Sequence, residues 1–206
     1  MEKMVFATNN AHKLAEVRAI LAPFYTIISL SELGCTDDIP ETANTLEGNA
    51  LIKAKYIHDK FGIDCFADDT GLEIDALNGE PGVYSARYAG EENCAQKNIC
   101  KVLRLLGENN NRSACFRTVI ALIKDGKTYF FEGKIEGDIA TQPRGDGGFG
   151  YDSIFVPKGY FTSFAQLSPS EKNNISHRAL AVEQLVNYLQ TNNLRQNTAV
   201  TSDTIK

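Results

Sequence analysis

Phe66-Ala67-Asp68-Asp69-Thr70-Gly71 sets two adjacent carboxylates between two apolar segments, Cys65-Phe66-Ala67 and Leu72-Glu73-Ile74. The first segment reads as the end of a buried strand, and Asp-Asp-Thr-Gly as a small-residue turn into the second. Carboxylates at the end of a buried strand suit a hard cation or a general base. Side chains alternate along an extended backbone, so Asp68 and Asp69 point to opposite faces. One is expected to face a cleft while the other ties down the turn. Taken alone, the stretch is better explained as a plain connection between strands; chemistry elsewhere in the chain favours a site.

Upstream, residues 3–7 read as a strand, Thr8-Asn9-Asn10 as a polar loop, and Ala11–Leu21 as a helix with Leu14, Val17 and Leu21 on one face. Pro23 stops that helix. A strand, a short polar loop and a helix N-terminus form an anion site, with Lys13 in the first turn adding charge. An Asn10 that only caps the helix and a solvated Lys13 fit equally well. Residues 25–29 read as a second strand. An acidic, irregular segment follows, Asp37-Asp38-Ile39-Pro40-Glu41-Thr42. A helix is predicted over Leu46–Phe61, with Leu46, Ala50, Ala54, Ile57 and Phe61 as its apolar stripe and Gly62 as its stop. Lys53 and Lys55 stand mid-helix, Lys55 in solvent.

Downstream, Val83-Tyr84-Ser85-Ala86-Arg87-Tyr88 has no clear period, and Asn93 can cap a helix carrying Ile99, Val102, Leu103 and Leu106. Residues 114–124 and 128–136 flank Asp125-Gly126, the strongest hairpin signal in the chain. Gly133 reads as a bulge. Gly126-Lys127-Thr128 resembles the end of a phosphate-binding P-loop, but Ala121 stands where the first glycine is required. Gly145-Asp146-Gly147-Gly148-Phe149-Gly150 fits a dinucleotide fingerprint formally, yet it leads into a strand at residues 153–156 instead of following one. Its glycines let backbone approach a ligand, Phe149 and Tyr151 offer flat faces, and Asp152 a fixed acceptor, although a flexible loop with a core aromatic by itself explains the stretch narrowly better. Ser168-Pro169-Ser170-Glu171 is a capping box with Lys172 in the first turn. Ser176-His177-Arg178 opens an amphipathic helix, where a core histidine and a surface arginine are the plain alternatives. Residues 191–206 are polar and aperiodic and read as a loose tail.

The chain has 206 residues, 43% hydrophobic and 23% charged, which suits one domain with a real core. A net charge of -5 argues against a nucleic-acid polymer as partner, since no basic face dominates. No apolar run approaches a membrane span or a signal peptide. Five cysteines without a Cys-x-x-Cys pair, and only three histidines, argue against zinc and for free thiols in a cytoplasmic protein.

Five motifs occur in order: Thr8-Asn9-Asn10-Ala11-His12-Lys13, Asp68-Asp69-Thr70-Gly71, Gly82-Val83-Tyr84-Ser85-Ala86-Arg87-Tyr88, Gly148-Phe149-Gly150-Tyr151-Asp152 and Ser176-His177-Arg178. Together they closely resemble the inosine triphosphate pyrophosphatase family, from the N-terminus to about Gln190. The resemblance implies an α/β fold: a long twisted mixed β-sheet flanked by helices, with two lobes and the active-site cleft between them. It implies a homodimer that uses magnesium to hydrolyse ITP, dITP and XTP to the monophosphate and pyrophosphate. Carried over by motif, Thr8, Asn9, Asn10, Ala11, His12 and Lys13 would form a triphosphate loop. Glu41 and Asp69 would hold magnesium, with Asp69 also the general base. Thr70 would touch substrate and Lys53 the phosphates. Phe149, Gly150, Tyr151, Asp152, Lys172, His177 and Arg178 would line the base and sugar pocket. Asp37, Asp38 and Glu47 compete with Glu41 for its role. A magnesium-dependent phosphatase that removes the terminal phosphate, and a nucleotide-binding module without turnover, stand as alternatives.

Overall fold

The computed structural model describes the backbone of residues 2–202 and the side chains of residues 2–192. β1 (Glu2–Phe6) alternates, sending Met4 and Phe6 to one face of the sheet and Val5 to the other. α1 (Ala11–Leu21) starts where expected: the Asn10 side chain accepts hydrogen bonds from the backbone N–H of His12 and Lys13. β2 (Tyr25–Ile28) lies parallel to β1 on one side. α2 (Leu46–Phe61) has the expected bounds; Thr45 caps it, and Gly62 ends it at φ 64°, in the left-handed region that favours glycine. β3 (Cys65–Ile74) lies parallel to β1 on its other side. Chain connections therefore leave β1 in both directions, and the carboxyl end of β1 is a switch point, where α/β sheets open a crevice.

The acidic stretch is not a turn. β3 runs unbroken through Asp68-Asp69-Thr70-Gly71, and every one of its residues pairs antiparallel with β5 (Ser113–Lys124). A full-length partner strand supplies the ladder hydrogen bonds that override the local preference of these residues for a turn. Gly71 serves close approach instead: a Cβ there would lie 2.7 Å from the Gly82 carbonyl oxygen in β4 (Pro81–Gly82). On that edge of β3, β1 pairs only with Cys65 and Phe66, and β4 only with Leu72 and Glu73. The edge over residues 67–71 is left open between them.

β5 and β6 (Lys127–Ile139) form the expected hairpin, with Asp125 at φ 51° and Gly126 at φ 70°. Gly133 is no bulge. It pairs in register with Thr118, and a Cβ on it would collide with the carbonyl of His177. Cys94, not Asn93, holds the N-cap position of α3 (Ala95–Leu106), without a side-chain capping bond; Asn93 takes a left-handed φ of 49° one residue earlier, a conformation Asn tolerates. β7 (Phe155–Pro157) starts later than read, because residues 150–154 form turns that bring Tyr151 into the core. The sheet order is β2-β1-β3-β5-β6-β7, with β4 beside β3. α4 (Pro169–Ile175) begins on the expected capping box. α5 (His177–Ser202) runs past the boundary expected at residue 190: the segment read as a loose tail is helical as far as Ser202, since extending a helix is easier than nucleating one. Its last four residues lie outside the described residues.

One apolar cluster packs α1 and α5 on one sheet face around Phe6, Phe66 and Leu185, and a second packs α2 on the other face around Ala54, Ile57 and Ala67. A third, around Ile99, Phe116, Ile154 and Phe164, builds the second lobe. The cleft opens where the lobes meet, over the open edge of β3.

Candidate active site

The alternation that sends Phe66 toward α1 and α5 sends Asp68 the same way, while Asp69 follows Cys65 and Ala67 toward α2. Their surroundings then diverge. Asp68 is 1% exposed and accepts from Lys13 Nζ at 3.0 Å and from Arg178 Nε at 3.2 Å. Burial alone would raise its pKa, but Lys13, Arg178 and Lys53 outweigh it and hold the carboxyl well below the usual carboxylate range. Asp69 accepts from Asn49 Nδ2 at 3.1 Å and stands 3.8 Å from Lys53 Nζ. Burial raises its pKa above the ordinary aspartate value, and Lys53 only partly offsets this. Adjacent carboxylates pushed apart in this way mark a fixed anion beside a candidate base. Asp68 does tie a structure down, as one of the pair was expected to, but the structure is a charge network and not a turn.

Of the predicted site residues, all but Ala11 line one cleft of about 880 Å³. Ala11 is the first residue of α1 and lies outside that lining. Lys13 is not solvated; it reaches across the cleft floor to Asp68. Lys53, half-way along α2, is buried. Burial pulls its pKa down, but Asp69 and Glu41 outweigh this and hold the ammonium firmly charged. Lys55 pairs with Asp59 in solvent, as expected. Arg178 is no surface charge: at 1% exposure it donates to Asp68, Glu16 and Thr70 Oγ1. Lys172 bridges Asp152 and Glu16 at 2.6 and 2.7 Å, and Phe149 stacks on the His12 ring at 5.1 Å. Tyr151 lines the cleft but is only 5% exposed, its hydroxyl donating to the Ser85 carbonyl. Its ring is packing, not a free stacking face. The His177 ring lies on Phe116 at 4.5 Å, and His177 Nδ1 is a buried side-chain atom with no hydrogen-bond partner among the described residues.

Glu41 also reaches the cleft, where Lys53 Nζ bonds its Oε1. No group of three or more Asp, Glu, His or Cys side chains converges among the described residues. Glu41 and Asp69 share the same lysine, however, and two carboxylates are what magnesium takes from a protein. The donor set fits that ion. Asp37 pairs with Lys60 and Tyr56, and Glu47 with Arg117, and neither lines the cleft. Asp38 lines it.

Residues 4–188 match the Ham1 family. This chain belongs to the Ham1 family. It is 58% identical to the dITP/XTP pyrophosphatase of Porphyromonas gingivalis over 190 residues, 92% of this chain and 98% of that protein. It is 54% identical to the dITP/XTP pyrophosphatase of Flavobacterium johnsoniae over 91% of this chain and 97% of that one. The solved structure of the Staphylococcus aureus Ham1 protein superposes with a TM-score of 0.84 at 41% identity, covering 93% of this chain and all of that one. The resemblance drawn from five short motifs and the α/β fold it implied are both borne out. No helix among the described residues is long and apolar enough to cross a membrane.

Three residues that hold the side chains of this Ham1 cleft were given no role by the sequence. Glu16 joins Lys172 to Arg178; Arg87 donates to the Glu41 carbonyl at 3.1 Å; Asn49 bonds Asp69. Arg87 sits in one of the quoted motifs, but nothing in its spacing named a partner. Burial, with Arg178 and Lys172 nearby, holds His177 well below the ordinary histidine pKa, so it is neutral in the folded protein. The unfolded chain takes up this proton first. Stability is therefore expected to fall as pH drops below about 6.5, by at most about 1.4 kcal/mol per pH unit, and to be flat above it for this group. Urea midpoints measured from pH 7.5 to 5.5 should show a shallower slope in His177→Gln than in the unsubstituted protein; equal slopes would contradict a neutral buried His177.

Proposed function

We propose that the protein hydrolyses non-standard purine nucleoside triphosphates, ITP, dITP and XTP, to the monophosphate and pyrophosphate. The names of its Ham1 relatives support the substrate class. The observation that carries the chemistry is the split pair at the open edge of β3 beside a helix N-terminus: Asp68 is held by Lys13 and Arg178, while Asp69 faces Asn49 and Lys53 on the other side. Asp69 is the base that takes the proton from the attacking water. Glu41 and Asp69 would hold magnesium, which when bound offsets charge on the inner phosphates and the departing pyrophosphate. Lys13 and Lys53, at the α1 end of the cleft, serve the phosphates, and Lys53 leaves Glu41 as they arrive.

The nucleoside end goes to the wall formed by Phe149, Lys172, His177 and Arg178. The His177 ring, stacked on Phe116 at 4.5 Å, is part of that wall. Three of the Arg178 donors are held by protein partners, which fixes the guanidinium plane and aims what remains at a 6-keto oxygen. Adenine presents a donor there and leaves these groups unpaired, so ATP is expected to be turned over poorly. The protein works as a homodimer in the cytoplasm in this proposal.

The bond that breaks follows from this placement. With the base at one end and the distal phosphates on the lysines, Asp69 directs water at the α-phosphorus, and pyrophosphate leaves. Hydrolysis of ITP with magnesium in ¹⁸O-water is expected to put the label in the monophosphate and none in pyrophosphate. Label in pyrophosphate would mean attack at the β-phosphorus. Free phosphate with diphosphate would establish the phosphatase reading, and binding without turnover the binding module.

A further inference from the structure

Asn49 is fully buried on the second turn of α2, an unfavourable place for a polar side chain unless all its groups are bonded. Both ends are used. Its Nδ2 donates to Asp69 Oδ2 at 3.1 Å, and its Oδ1 accepts from the backbone N–H of Ala43 at 2.9 Å. One side chain thus joins strand β3 to the irregular segment that carries Glu41 two residues earlier. The neighbouring Gly48 makes this possible: a Cβ there would stand 2.5 Å from the Ala43 Cβ and push the segment off the helix. The other Asp69 oxygen, Oδ1, accepts from the Thr70 N–H at 2.9 Å, so the carboxylate is gripped on both oxygens. From the far side of the cleft, Arg87 holds the Glu41 carbonyl at 3.1 Å.

We propose that Asn49 is a positioning residue that sets the Glu41 segment and the Asp69 carboxylate in one geometry, so that the two acids meet a divalent cation as a pair. The proposal rests on the assignment of Glu41 and Asp69 as the metal-holding acids. Partners behind metal-holding groups typically govern affinity or activity by 10–100-fold. An asparagine suits the task because it bonds an anion and an N–H at once and brings no charge of its own beside Asp69.

The test is Mn²⁺ binding followed by electron paramagnetic resonance in the presence of a non-hydrolysable ITP analogue, on the full chain. Asn49→Ala is expected to weaken Mn²⁺ binding roughly 10–100-fold. It should lower kcat on a similar scale with KM for ITP changed by less than about threefold, since the base wall is untouched. Gly48→Ala, which keeps Asn49 but displaces Ala43, should weaken Mn²⁺ in the same direction and serves if Asn49→Ala does not fold. Glu41→Gln and Asp69→Asn are measured alongside. If those two leave Mn²⁺ affinity unchanged, the assignment of the acids fails. If they weaken it while folded Asn49→Ala and Gly48→Ala do not, Asn49 is only a structural bond and the proposal falls.

Discussion

Asp69→Asn is expected to lower turnover of ITP by at least about 100-fold at unchanged folded content, the scale of removing a general base. The amide keeps the shape and can still accept from the Thr70 N–H, so the loss isolates the charge. In the proposed reaction Asp69 is the base; on its face of β3 it looks toward α2, where burial raises its pKa and Lys53 is the only cation within 4.0 Å among the described residues. Asp68 looks the other way and is wholly consumed by Lys13 and Arg178. Single-turnover rates for Asp69→Asn and Asp68→Asn, each checked by circular dichroism, decide the matter. A larger chemical loss in Asp68→Asn would reverse the assignment within the pair.

The second large effect belongs to Asp68 and is one of stability. Removing one partner of a buried ion pair strands the other charge, at roughly 3–5 kcal/mol. In Asp68→Ala, Arg178 keeps Glu16, but Lys13 loses its only ion-pair partner among the described residues, so the lower end, about 3 kcal/mol, is expected. With a urea slope near ~2 kcal/mol/M, the unfolding midpoint should fall by about 1.5 M. An unchanged midpoint would show that Lys13 and Arg178 find water or each other's partners, and that the network is not what fixes the cleft floor. Because the same substitution removes one of the three contacts that fix the Arg178 guanidinium, the preference for ITP over ATP should also weaken, read as a falling ratio of kcat/KM values.

Elements whose signals are local were legible before any contact was known. Asn10 and the Ser168–Glu171 box start helices with their own side chains, Gly62 ends one through its own φ, and Asp125-Gly126 closes a hairpin because both residues accept positive φ. The five motifs also identified the family, since residues that touch one ligand keep their types and order wherever the fold carries them. The acidic stretch was misread for the same reason: locally Asp-Asp-Thr-Gly prefers a turn, and only the register with β5, some fifty residues away, makes it a strand. Gly133 and Gly71 mislead alike, because a glycine that admits α5 or β4 looks in sequence like one that bends a strand.

By itself, then, the sequence determined the helices, the hairpin and the family, and all but one of the site residues it named lie along the cleft, which other residues line as well. Which partners each of the two adjacent aspartates meets was decided only by tertiary structure. Strand alternation says that they face apart, but not which face holds Lys53 and Asn49 and which holds Lys13 and Arg178. That depends on α2 packing against one side of the sheet and α1 with α5 against the other. The energies involved, desolvation against charge pairing, depend on burial and on distances of a few ångströms between residues up to 110 positions apart. No local pattern encodes such distances; they exist only once the chain has closed on itself.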